Sequence, residues 1–193
     1  MDQQTLIDRL PIVAKIKVPA LISLGEDDTI SATLLHDVCF YEKNDSIAFY
    51  AAYVLEHIAS RYPERFMPVF DTFISRLPEQ KNASCQRHFT KILMVIAHPK
   101  APELYQEAYS QIERELLVET VFGWLIAPRT TVAVQANCMD ILLYMSREFG
   151  WIREELKHQI EFLMRDGSAA LQSRGKNVLE KLNRLKPEVD PEG

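Results

Sequence analysis

One spacing returns four times along this chain and restricts its fold more than any other feature. From Gln86 it reads Gln-x5-Ile92-Leu93-x2-Ile96, from Gln135 Gln-x5-Ile141-Leu142-x2-Met145, and from Gln172 Gln-x5-Val178-Leu179-x2-Leu182. A weaker copy starts at Ala48 and runs through Val54, Leu55 and Ile58. Apolar residues at these intervals share one face of a helix. Four places before each start stands a residue of N-cap type: Asn44, Asn82, Thr131 and Ser168. The starts lie 38, 49 and 37 residues apart, the length of one helix pair stacked on the next.

Composition agrees with helices. The chain has only six glycines among 193 residues, too few for the many turns of a sandwich or barrel, and its 47% hydrophobic content is enough to bury a core. The expected organisation is a single helical-repeat domain over 1–186, with an irregular N-terminal cap at 1–43, repeats over 44–185 and a disordered tail at 187–193. Within the cap, Gln3 to Leu10 and a stretch from Pro11 onward read as two short helices, with Pro19 breaking the second and Gly25 ending it. A helix over about 31–41 follows. The first pair is a helix from Asn44 to Tyr62 and a partner from Glu64 to Leu77, which Pro78 stops. In the second pair, the helix opened by Asn82 is followed by a short extra helix, Glu103 to Gln111, and by one over 113–126. The third pairs a helix opened by Thr131, with Gly150 as a left-handed C-cap, with Trp151 to Met164. A last helix runs from Ser168 through Leu185.

Helix pairs of this length, with an apolar stripe on both members and proline- or glycine-marked turns, resemble HEAT or armadillo-type repeats over roughly Asn44 to Leu185. Two of the periods are short for HEAT units, and no Pro-then-Asp/Arg pattern returns at each turn. The tetratricopeptide pattern fits worse. The resemblance implies an all-α protein, an α-α superhelix of antiparallel helix pairs.

A net charge of -5 opposes a protein whose main partner is nucleic acid, because phosphate binding needs a positive surface. Cys39, Cys85 and Cys138 form no C-x-x-C and read as reduced core thiols of a cytoplasmic protein. No stretch has the length and apolarity of a membrane span.

Several constellations invite chemical readings, each beside a plainer one. Cys85 and His88 stand three apart on a helix and could form a thiol-imidazole pair or two metal ligands, yet neither a third ligand nor an orienting acid is visible. Glu155-x-x-His158 has the spacing of di-iron bundles, which need a second copy that is missing. Glu56-His57 and His36-Asp37 are adjacent and so point apart on a helix. Phe122-Gly123-Trp124 and Phe149-Gly150-Trp151 repeat a tripeptide, and an exposed Trp in either would anchor a partner. Between Arg165 and Lys186 six Lys/Arg oppose two acids. Arg174, Lys176, Lys181 and Arg184 within it form the one basic patch of the sequence.

No catalytic, cofactor or metal motif emerges, so the expected role is a non-enzymatic interaction scaffold or regulatory module with a protein or peptide partner. The second helices of the pairs would line its binding surface, through Arg65, Arg76, Arg114, Arg153, Glu155 and Lys157. One alternative is nucleic-acid binding like that of HEAT-like DNA-repair glycosylases, which the acidic total opposes. Another is an all-helical lyase, whose Gly-Ser-Ser-x-Met-Pro loop is absent.

Overall fold

The computed structural model describes residues 1–185; Lys186 and the predicted tail at 187–193 lie outside the described residues. The described chain is helical and contains no strand. It falls into two compact units, Met1–Ile96 with Lys100–Glu113, and Ala97–Pro99 with Arg114–Gly193.

The first unit is built around α4, Asp45–Arg61, which packs against α1 (Gln3–Ile16), α2 (Ile22–Glu26), α3 (Ala32–Val38) and α7 (Ala83–Ile96). Between α4 and α7 run α5 (Pro63–Phe66) and α6 (Phe70–Ser75), and α8 (Glu103–Gln111) follows α7. Ala51, Val54, Leu55 and Ile58 of α4 and Phe89, Ile92, Leu93 and Ile96 of α7 are buried, as their spacing requires. Phe66, Phe73 and Phe89 continue that core in edge-on and tilted contacts. Tyr105 of α8 is buried too, and its hydroxyl donates to the Ala59 carbonyl at 2.6 Å.

Two local expectations fail here for physical reasons. Pro11 does not divide the first segment, because α1 continues through it to Ile16. Proline removes one hydrogen bond of the helix, and α1 carries Pro11 as an interior residue with Leu6, Ile7 and Leu10 buried on the turns before it. Conversely, the helix expected over Glu64 to Leu77 is broken. Pro68 sits in a 3-10 turn, Met67–Val69, that separates α5 from α6, and a second such turn, Leu77–Glu79, follows.

The second unit comprises α9 (Arg114–Ile126), α10 (Val132–Met145), α11 (Gly150–Arg165) and α12 (Ala169–Arg184). Here α10 is central, packing on α9, α11 and α12. Gly150 opens α11 and has no positive φ, so it is not the left-handed cap that was expected. Gly175 of α12 is a close-approach glycine: a Cβ there would lie 2.6 Å from Met164 Sδ and 2.9 Å from Ile160 Cγ2 of α11.

The repeated template acquires a structural meaning. Asn44, Asn82 and Ser168 accept from backbone N–H groups two or three residues on, whereas Thr131 makes no such side-chain bond. Each template glutamine reaches back to a carbonyl that precedes its own helix. Gln86 donates to Gln80 at 2.9 Å, Gln135 to Leu125 at 3.1 Å, and Gln172 to Gly167 at 3.1 Å and Met164 at 3.4 Å. The recurring glutamine therefore fastens three of the four template helices to the segment that leads into them, while the copy that starts at Ala48 has none.

Candidate functional site

Four of the six residues expected on a partner surface are engaged inside their own unit. Arg65 donates to three backbone carbonyls at the end of α2 and beyond: Gly25 at 2.7 Å, Asp27 at 2.8 Å and Ile30 at 3.3 Å. Arg76 lies 3.8 Å over the Phe40 ring and pairs with Glu79 at 2.8 Å and Asp37 at 3.5 Å. Arg114 pairs with Glu148 at 3.0 Å, and Arg153 donates to the last carbonyls of α12, Leu182 at 2.8 Å and Leu185. Glu155 faces solvent and accepts from Gln159 at 2.7 Å, while Lys157 is half-buried.

What α11 does present is aromatic. Trp151 is 57% exposed and Phe162 60%, the two most exposed aromatic side chains among the large apolar ones. With Glu155 and His158 they occupy one stripe, at i, i+4, i+7 and i+11. Trp151 stacks on Phe122 of α9, ring centroids 5.9 Å apart at 23°, and Arg165 lies 5.8 Å over Phe162. The two Phe-Gly-Trp tripeptides thus touch in space, although Trp124 of the first copy is in the core at 8% exposure. Of the two tryptophans the sequence offers as anchors, the exposed one is Trp151.

The basic patch lies along α12. Arg174 and Lys181 stand on the flank that faces α10, where Arg174 pairs with Asp140 at 2.7 Å. Burial raises the Asp140 carboxyl, against the opposing effect of Arg174 and Lys181. Lys176 and Arg184 lie further round, exposed, with Glu180 3.9 Å from Arg184. At helical spacing the four cations fall within an arc of about 160°, so they share one side of α12, with Arg174 held by Asp140 at its edge.

The chemical pairings read from sequence are redistributed. Cys85 Sγ points to the Cys39 carbonyl at 3.7 Å, and burial pushes its thiol up to about 12, an inert state. His88 turns away to Glu56 of α4, with Nδ1 2.5 Å from Oε2, and Lys91 reaches the same carboxylate at 3.0 Å. Burial alone would raise Glu56, but the hydrogen bonds from His88 and Lys91 outweigh it and hold the carboxyl below its ordinary value. His57 likewise leaves its sequence neighbour for Glu26 of α2, 2.7 Å away, which also accepts from the Tyr62 hydroxyl. His36 is fully buried between Phe40, Phe73 and Phe89, and neither ring nitrogen has a partner. Burial holds it down to about 4. Sequence reasoning missed the Glu56–His88–Lys91 cluster, which joins residues 32 to 35 positions apart. No periodic signal marks a pairing across two helices. No cluster of three or more His, Cys, Asp or Glu able to hold a metal occurs among the described residues.

Among the described residues no helix is long and apolar enough to cross a membrane. No curated protein and no solved structure matches the chain. The family described as HEAT repeat domain does match, over residues 13–182, a span that holds all four template helices and begins within α1. With the helical packing, that match gives the α-α superhelix class. The chain belongs to the HEAT repeat domain family.

Proposed function

We propose that this chain is a non-enzymatic interaction module whose partner is a protein or peptide, engaged in the cytoplasm by its second helices. One observation carries the reading: α11 turns Trp151 and Phe162 to solvent on a single stripe, while its other apolar residues Ile152, Leu156 and Ile160 are buried. Exposed aromatic pairs set among charges are where binding energy concentrates in protein interfaces. The titratable pairs support the non-enzymatic part, since Glu56–His88–Lys91 and Glu26–His57 are spent joining helices and the thiols are buried. Three reduced, buried cysteines agree with a cytoplasmic setting. The net charge of -5 opposes nucleic-acid binding, which needs a positive surface.

The test is affinity capture from a lysate of the source cells at moderate salt, with the wild-type chain and a Trp151→Ala/Phe162→Ala double variant as baits. The expected result is a protein retained by the wild type and lost by the variant. Identical retention by both baits, or retention of nucleic acid alone at low salt, would reject the reading.

A further inference from the structure

We infer that the face shared by α9 and α11 receives a basic, amphipathic helical segment of the partner, whose backbone approaches most closely over Gly123. This deepens the proposed protein-binding reading and rests on it. Two independent observations lead to it.

The first is charge. The solvent side of these two helices carries Glu115, Glu119, Glu154, Glu155 and Glu161, all exposed. Its one exposed cation is Arg165, laid over Phe162. These five carboxylates share the exposed sides of the two helices with Trp151, Phe122, Phe162 and the 51% exposed Ile126, so acidic charge accompanies the apolar residues there. Such a surface attracts cationic partners and repels acidic ones. A helix with lysines or arginines flanking an apolar stripe matches both features at once.

The second is Gly123 itself. Glycine is the poorest helix former after proline, and inside a helix it needs a reason. Gly175 has one within this unit, because Met164 and Ile160 leave no room for a Cβ. Gly123 has none: it lies inside α9, it is exposed, and a Cβ placed there would meet nothing within 4 Å. The chain's own packing does not call for the missing side chain. Its exposed neighbours one turn away on the helix surface are Glu119 and Ile126. The result is a low point bounded by one carboxylate and one apolar side chain, where another backbone can come close.

The inference is tested by selecting helical peptides from a displayed random library on the wild-type chain, then measuring the recovered peptides against three variants by fluorescence anisotropy. The variants are Gly123→Arg, Glu119→Lys/Glu155→Lys and Trp151→Ala. Arginine at 123 enters open space at an exposed helical position and is a better helix former than glycine, so a thermal midpoint at or above that of the wild type certifies the fold. Expected are peptides rich in Lys and Arg with apolar residues at i, i+3 and i+4, each losing about tenfold or more in affinity for every variant. Acidic peptides, peptides that bind Gly123→Arg as well as the wild type, or recovery of no binder would each overturn it. The lysate capture above decides the wider reading separately: a partner lost by the Trp151→Ala/Phe162→Ala bait but retained by Gly123→Arg and Glu119→Lys/Glu155→Lys leaves protein binding standing and removes the basic segment.

Discussion

Both units turn some charged side chains inward, but exposed Trp and Phe side chains stand in the second alone among the described residues. In the first, residues that a helical wheel would put in water turn inward: Arg65 gathers three carbonyls, Glu56 holds His88 and Lys91, and Glu26 holds His57 and Tyr62. In the second, apolar residues turn outward, with Trp151, Phe162 and Ile126 all more than half exposed. The difference teaches that polarity alone does not mark a binding face. A long cation can bury its head on backbone acceptors, whereas an aromatic left in water by a fold with core to spare is available to something else.

The contrast is broken or sharpened by substitution. Arg65→Ala should have the largest effect, a loss of about 3 kcal/mol, because three charge-assisted bonds vanish and partly buried carbonyls lose their donor. Urea unfolding measures it, and amide exchange should accelerate around residues 22–30. A loss under about 1 kcal/mol would mean that the arginine is a surface residue after all.

His36 comes next, through pH. Its folded value of about 4 lies below the ordinary histidine value of 6.5, so the unfolded chain binds more protons between these limits and stability falls as pH drops through that window. From pH 7.5 to 5 this group alone should remove about 2 kcal/mol, and His36→Leu should abolish that part of the acid sensitivity. Equal slopes of unfolding free energy against pH in the two proteins would show that the imidazole finds a partner or water.

The paired glycines give a difference of sign. Gly175→Ala should destabilise by about 1 to 2 kcal/mol, since its Cβ would press on Ile160 and Met164. Gly123→Ala should stabilise by up to about 1 kcal/mol, with nothing in its way. Smallest of all, Phe162→Ser should leave the thermal midpoint almost unmoved, within about 0.5 kcal/mol. A larger drop would make Phe162 a structural residue and weaken the outward side of the comparison.

Much of the helical framework could be read from spacing. The Asn44, Asn82 and Ser168 caps and the buried template triplets sit where the period places them, because both depend on residues within one or two turns. Pro11 and Pro68 show both outcomes of one local rule: the first is carried inside α1, while the second does interrupt its helix. The site was less legible. Periodicity says that Arg65 and Arg153 lie off the apolar stripe, but their acceptors are 29 to 40 residues away, and no pattern within a helix points to them. Trp124 and Trp151 have the same two preceding residues, yet one is core and the other surface, since the first lies on the inner side of α9 and the second in the first turn of α11.

The glutamine that marks three of the four template helices has a consequence for how such a chain acquires its structure. Its bonds close over only 5 to 10 residues of sequence. A contact so near in sequence loses little chain entropy and can form before any neighbouring helix has docked. Each turn is thus set by its own repeat, and the longer spacing between Gln86 and Gln135 can hold α8 as an insertion without disturbing the closure on either side. A protein assembled in this way can lengthen or shorten by whole units over evolutionary time, because the geometry of every joint is written beside it.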